Sequence, residues 1–250
     1  MELLLALFFF LISLLYSSVG LGGGSGYLAV MGLMGVPPEI MRPVALSLNI
    51  LVASISSWHY IRAGNFSARL FWPIVLASVP FAYLGGYLEL PGYLYRPLVG
   101  LVLVYSAWRL WRSTMPGQEL PEVRSDLPLW LLLLAGAVIG FVSGLMGIGG
   151  GTFLGPLLLL AGWADTKEAL GVTAAFVLAN SISALAGRLT AVQELPPNIW
   201  IWLVAVGVGG WLGAKLGSTH LNPRILRRLL AIILLVGGLR LLLSSLITNI

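Results

Sequence analysis

The 250-residue chain has no cysteine, two histidines, and charged side chains at only 9% of its positions. Without cysteine there is no disulfide, no thiolate metal site and no redox chemistry by sulfur, and the compartment is left unconstrained. The acidic residues Glu39, Glu89, Asp165, Glu168 and Glu194 all stand at the ends of apolar segments, so carboxylate proton relays and sodium sites inside the membrane have no support. No metal-ligand cluster, Walker motif or dinucleotide fingerprint occurs, and neither a metal nor a cofactor is expected. The 14 Lys and Arg lie mostly at the ends of apolar runs, so the chain lacks the basic soluble face that nucleic acid would need.

What is abundant is hydrocarbon. Hydrophobic residues make up 58% of the chain and the mean hydropathy is +0.97, far outside the soluble range. The reading is a multi-pass protein of a cell membrane, a bacterial or archaeal cytoplasmic membrane being expected, with the lipid bilayer and a small anion as partners and a homo-oligomer left open. A secretory signal is not expected at the start, because Glu2 stands where a basic region belongs and Gly20–Gly24 where a small-residue cleavage site belongs.

Charge-free runs cover Leu3–Pro38, Pro43–Ile61, Leu70–Leu88, Pro97–Trp108, Leu127–Ala164, Ala169–Gly187, Leu195–Ala214 and Leu229–Leu239. The first and fifth are too long for one span, which takes about 20 residues. They are also copies of each other. Gly20-Leu21-Gly22-Gly23-Gly24-Ser25 returns 127 positions later as Gly147-Ile148-Gly149-Gly150-Gly151-Thr152. Ser47, Ser57 and Arg62 then fall on Thr173, Ser183 and Arg188, and Arg96 and Arg112 on Arg224 and Arg240.

Leu3–Pro38 would be about 54 Å as a helix against a hydrocarbon core of about 30 Å, while its arm after the glycines, about 18 Å, is too short to recross. A re-entrant hairpin fits both lengths. The expected fold is therefore an all-α integral membrane protein of two inverted repeats, each a glycine-broken re-entrant hairpin followed by three transmembrane helices. The first repeat is placed at 1–112 (hairpin 3–38, spans near 43–62, 70–88 and 93–111) and a linker at 113–126. The second repeat is placed at 127–250 (hairpin 127–164, spans near 169–188, 196–215 and 225–247). This topology puts ten of the 14 basic residues on one side, Arg42, Arg96, Arg188 and Arg240 on the other, and both termini outside. Eight ordinary spans would split the same residues evenly.

Interrupted helices in inverted repeats mark the substrate sites of secondary transporters. Breaking a helix frees backbone N–H groups that must be satisfied by protein or by a water-filled cavity, and a new helix start aims its positive end at that cavity. The candidate substrate-binding residues are Gly22, Gly23, Gly24 and Ser25 with Gly149, Gly150, Gly151 and Thr152. In the spans that follow, Ser47 and Thr173 occupy matching positions, and Asn49 and Asn180 match if the register slips by five residues. The plainer use of such residues is helix packing by glycine and interhelical hydrogen bonding, worth about 0.6 kcal/mol each on average. Arg42 and Arg188 are candidates for attracting an anion to the outer mouth, although an Arg near a helix end commonly snorkels to headgroups. His59 is a candidate for proton coupling; its repeat counterpart is Leu185.

On G-x-G-G-G opening both halves, and on the paired segments Glu39–Asn49 and Thr166–Phe176, the chain resembles the TauE/SafE family over essentially its whole length. The resemblance implies passage of a small sulfur-containing anion such as sulfite, thiosulfate or a sulfonate, without ATP hydrolysis. A passive anion channel of the same fold is the first alternative. A rhomboid-like intramembrane serine protease is the second, since Gly23-Gly24-Ser25-Gly26 reads as G-x-S-G with His59 or His220 as base, but the second copy lacks both serine and histidine.

Overall fold

Both over-long runs break at their glycines. The computed structural model describes residues 2–88, 92–117, 120–124, 127–187, 196 and 199–247, and among these the regular structure is all helical. The helices are α1 Glu2–Ser18, α2 Gly24–Leu33, α3 Pro38–Arg62, α4 Ala68–Tyr87, α5 Gly92–Arg112, α6 Leu129–Met146, α7 Gly151–Leu160, α8 Thr166–Ala186, α9 Ile199–Lys215 and α10 Pro223–Ile247. A π-helical turn, Leu216–His220, ends α9. Among the described residues five helices are long and apolar enough to cross a membrane: Ile40–Arg62, Ala68–Tyr87, Leu129–Met146, Thr166–Ala186 and Ile199–His220.

The first arms, α1 and α6, have 17 and 18 residues, and the return arms, α2 and α7, have ten each. At a 1.5 Å rise these are about 26 Å and about 15 Å. The return arms fold back antiparallel. Ser25 of α2 meets Tyr16 of α1, and Tyr27 meets Phe9 edge-on at 5.2 Å. The backbone N–H of Arg124, which precedes α6, donates to Gly162 O just after α7 at 2.9 Å, so α7 returns to the end from which α6 starts.

Close helix pairs come in matching sets. As α4 lies on α6, so α9 lies on α1; as α4 lies on α8, so α9 lies on α3; α3 packs on α8 and α5 on α10. Glycine stripes make the tightest pairs. Gly136, Gly140 and Gly144 of α6 lie on the backbone of α4 at Ile74, Ser78 and Ala82, and Gly209, Gly213 and Gly217 lie on α1 at Phe10, Leu14 and Ser18. Both series rise together, so these pairs are parallel. Gly171 near the start of α8 meets Tyr60 near the end of α3, and Gly100 of α5 meets Leu242 while Gly238 meets Val104, so α3/α8 and α5/α10 are antiparallel. Near one end of the bundle, cations stack over indoles: Arg62 on Trp58 at 4.3 Å, Lys215 on Trp211 at 5.1 Å and Arg112 on Trp108 at 5.0 Å. Trp and basic side chains are those expected where a helix leaves the hydrocarbon.

Candidate functional site

The two glycine breaks meet. α2 starts at Gly24 after Gly23 (φ 99°), and α7 starts at Gly151 after Gly150 (φ 81°); both cap residues are left-handed, and no side chain caps either helix. The first intrahelical bond of α2 is Tyr27 N to Gly23 O at 2.9 Å, leaving the amides of Gly24 to Gly26 ahead of it. A Cβ on Gly24 would fall 3.0 Å from Ile148 Cα, and one on Gly151 would fall 2.8 Å from Leu21 Cδ2. Any side chain there would push the breaks apart.

Between them lies a crevice lined by Tyr16, Leu21, Gly22, Gly23, Gly24, Ser25, Ile148, Gly151, Thr152 and Val177, closed to less than the width of a water molecule. Asn49, near the middle of α3 and fully buried, packs against two of the glycines that line it, Gly22 and Gly24. A Cβ on Gly22 would be 2.6 Å from Asn49 Oδ1, and Cβ atoms on Gly24 and Gly149 would be 2.7 and 3.2 Å from Asn49 Nδ2. Neither amide atom has a hydrogen-bond partner, nor has Thr152 Oγ1 or Ser181 Oγ. Such groups normally cost about 1–3 kcal/mol each when buried unpaired; Thr152 lines the crevice, and Asn49 and Ser181 stand against the glycines of the breaks.

The other expected site residues divide. Ser25 Oγ lies 3.1 Å from Tyr16 Oη and does not cap α2. Ser47 and Thr173 donate to the carbonyls one turn back, Pro43 O at 2.9 Å and Ala169 O at 2.6 Å; only Thr173 approaches a break, with Cγ2 3.1 Å from where a Gly151 Cβ would stand. Asn180 is turned to structural use: its Oδ1 accepts from Ser78 at 2.9 Å and its Nδ2 donates to Phe176 O at 3.0 Å. Arg42 runs along the other tip, its Cβ and Cγ 3.3 Å from a Cβ placed on Gly147. His59 packs between Trp58 and Trp211 near the cation-bearing end, and His220 pairs with Thr219, so neither lines the crevice with Ser25. Arg188 lies outside the described residues.

Three further residues stand at or beside the breaks. Tyr16 looks like an ordinary span residue; Ser181, one of the polar residues inside the apolar run Ala169–Gly187, reads from sequence as an interhelical hydrogen-bonding serine, yet its hydroxyl is unpartnered. Arg240 carried a signal: it is the one charge that interrupts the last apolar run, and a charge inside a span is by default functional. Its guanidinium donates to Ser25 O and Leu28 O of α2, each at 3.1 Å, tying α10 to the return arm.

The family model described as sulfite exporter TauE/SafE matches residues 5–241. A protein of Sinorhizobium fredii named "probable membrane transporter protein" is 41% identical over 239 residues, 95% of this chain and 97% of that one. One of the same description from Methanocaldococcus jannaschii is 27% identical, covering 94% of this chain and 92% of its own length. A third, from Bacillus subtilis, is 29% identical over 42% of this chain and 38% of its own. No solved structure matches the chain.

Proposed function

The chain belongs to the sulfite exporter TauE/SafE family of membrane transporters, and on that premise we propose that it is a secondary permease for a small sulfur-containing anion, bound where the two glycine breaks meet. The observation that carries the reading is Asn49: a fully buried amide with no partner, set against Gly22, Gly24 and Gly149 from both breaks. Two uncapped helix starts supply N–H donors and positive dipole ends, which hold an anion without a fixed cation. Gly22, Gly23, Gly24, Ser25, Asn49, Gly149, Gly150, Gly151 and Thr152 form this site; Ser47, Thr173 and Asn180 support it through the helices they brace.

The two halves are inverted in this reading. Its support is the set of matching helix pairs together with the antiparallel self-pairs α3/α8 and α5/α10. A two-fold axis that leaves both self-pairs antiparallel runs across the helices, and hence in the membrane plane. Alternating access follows as rocking of the halves about the crevice, which is closed in the conformation described here. Reconstitution into liposomes tests transport: radiolabelled sulfite should enter saturably and faster when unlabelled sulfite is trapped inside. Uptake without trans-stimulation, together with unitary currents, would make the protein a channel instead.

A further inference from the structure

Away from the crevice, one cluster of side chains stands where the ends of α3 and α9 meet. The two helices run the same way, since Leu51 stands by Gly207, Val52 by Gly210 and Tyr60 by Gly217, so their last turns share one end of the bundle. There five side chains form a continuous arc. The Arg62 guanidinium lies over Trp58 at 4.3 Å, Trp58 meets His59 edge-on at 4.8 Å, His59 meets Trp211 at 5.9 Å, and Lys215 lies over Trp211 at 5.1 Å. We propose that this arc binds the headgroup phosphate of an anionic phospholipid, whose acyl chains lie along the apolar strip of α9 that leads up to it.

A lone cation–indole pair is what any helix end at a membrane surface carries. The duplication shows that more is present here than packing requires. α4 lies on α8 as α9 lies on α3. Aligned on Ser57/Ser183 and on Leu84-Gly85/Leu212-Gly213, the positions matching Trp58, His59, Trp211 and Lys215 are Ala184, Leu185, Tyr83 and Tyr87. The same helix contact forms there without an indole, an imidazole or a lysine, so the arc is dispensable to the fold. Its polar groups also lack partners. No carboxylate among the described residues pairs with Arg62 or Lys215, and His59 Nε2 is buried without a hydrogen-bond partner. Stacking on an indole fixes the plane of a guanidinium but leaves N–H groups along its rim, the fork that takes two phosphate oxygens. Lys215 adds a second charge from the neighbouring helix, with His59 between the two. Beside the arc the surface suits lipid: Val204, Val208 and Trp211 follow one another up the face of α9 that ends in Lys215, and all three are exposed. A soluble anion has no use for that strip, whereas an acyl chain covers it. Two cations with no acid between them select a net negative headgroup over a zwitterionic one, whose ammonium would be repelled.

Native mass spectrometry of the delipidated protein, titrated with dioleoyl phosphatidylglycerol and with dioleoyl phosphatidylcholine, tests the site. The first molecule of phosphatidylglycerol should bind about tenfold or more tightly than the first of phosphatidylcholine, the order of difference that two basic side chains at a headgroup produce. Arg62→Gln combined with Lys215→Gln should bring the two lipids level. His59→Leu, which installs the residue that the second repeat has at this position, should narrow the gap. Arg112→Gln removes a cation that also stacks on an indole, Trp108, and should leave the preference unchanged. None of these side chains makes a hydrogen bond among the described residues, so the melting temperatures of the variants in detergent alone should change little. Equal binding of the two lipids by the unmodified protein, or a preference that survives the double substitution, would overturn the proposal. A rise in melting temperature with glycerol 3-phosphate equal to that with phosphatidylglycerol would overturn it too, because the site would then take a free phosphate instead of a lipid.

Discussion

At the scale of single residues, the glycines and asparagines of the sequence separate into those that shape the site and those that hold its frame. Gly23 and Gly150 stand at φ 99° and 81°, where a β-branched residue costs roughly 1–3 kcal/mol and would close on Tyr27 or Phe176. Gly23→Val and Gly150→Val are each expected to abolish sulfite uptake in liposomes while the protein still inserts. Gly35→Val, equally left-handed at φ 72° but with open space around it, should keep uptake. The two asparagines should part in the same way. Asn180→Ala removes bonds to Ser78 and Phe176 O and is expected to cost about 1–3 kcal/mol, read as a lowered melting temperature, with sulfite affinity unchanged.

Helices pack here through absent side chains. Lipid is as apolar as leucine, so association rests on close van der Waals contact and interhelical hydrogen bonds, and the stripes Gly136-Gly140-Gly144 and Gly209-Gly213-Gly217 provide the closeness. Gly140→Val, whose Cβ would fall 2.7 Å from Ser78 Cα, should destabilise the α4/α6 pair by about 1–3 kcal/mol, visible as a lower melting temperature in detergent. Gly237→Val on α10 meets nothing within 4 Å and should melt as the unmodified protein does. The hairpins were legible as elements because their runs are too long to span once and too short to span twice. The exact helix starts were not: Ser25 and Thr152 look like helix starts, but the left-handed turns at Gly23 and Gly150 let each helix begin one residue earlier, with the hydroxyl left for other use.

For the whole molecule the question is sidedness, and the absence of cysteine supplies a clean background for it. The inverted arrangement puts the ends of α3 and α5 and the start of α8 on the same, basic side. Single cysteines at Ala63, Met115 and Asp165 should therefore resist a membrane-impermeant maleimide in intact cells, and one at Pro37 should react. Asp165 decides the matter, because eight ordinary spans would place it outside with Pro37. Membrane class and the glycine-broken runs follow from composition and run length, and the duplication from a motif repeated 127 positions on, since hydropathy, helical rise and sequence identity need no knowledge of neighbours. Which polar residue faces the site does not. Asn49 and Asn180 are the same side chain in related spans, yet one is aimed at both breaks without a partner and the other is spent on Ser78 and a carbonyl. That difference arises from the rotation of each helix against neighbours far away in the chain, as does the grip of Arg240 on α2 across 215 positions. Helix rotation is set by packing between segments, and a linear pattern of apolar residues surrounded by lipid leaves it free.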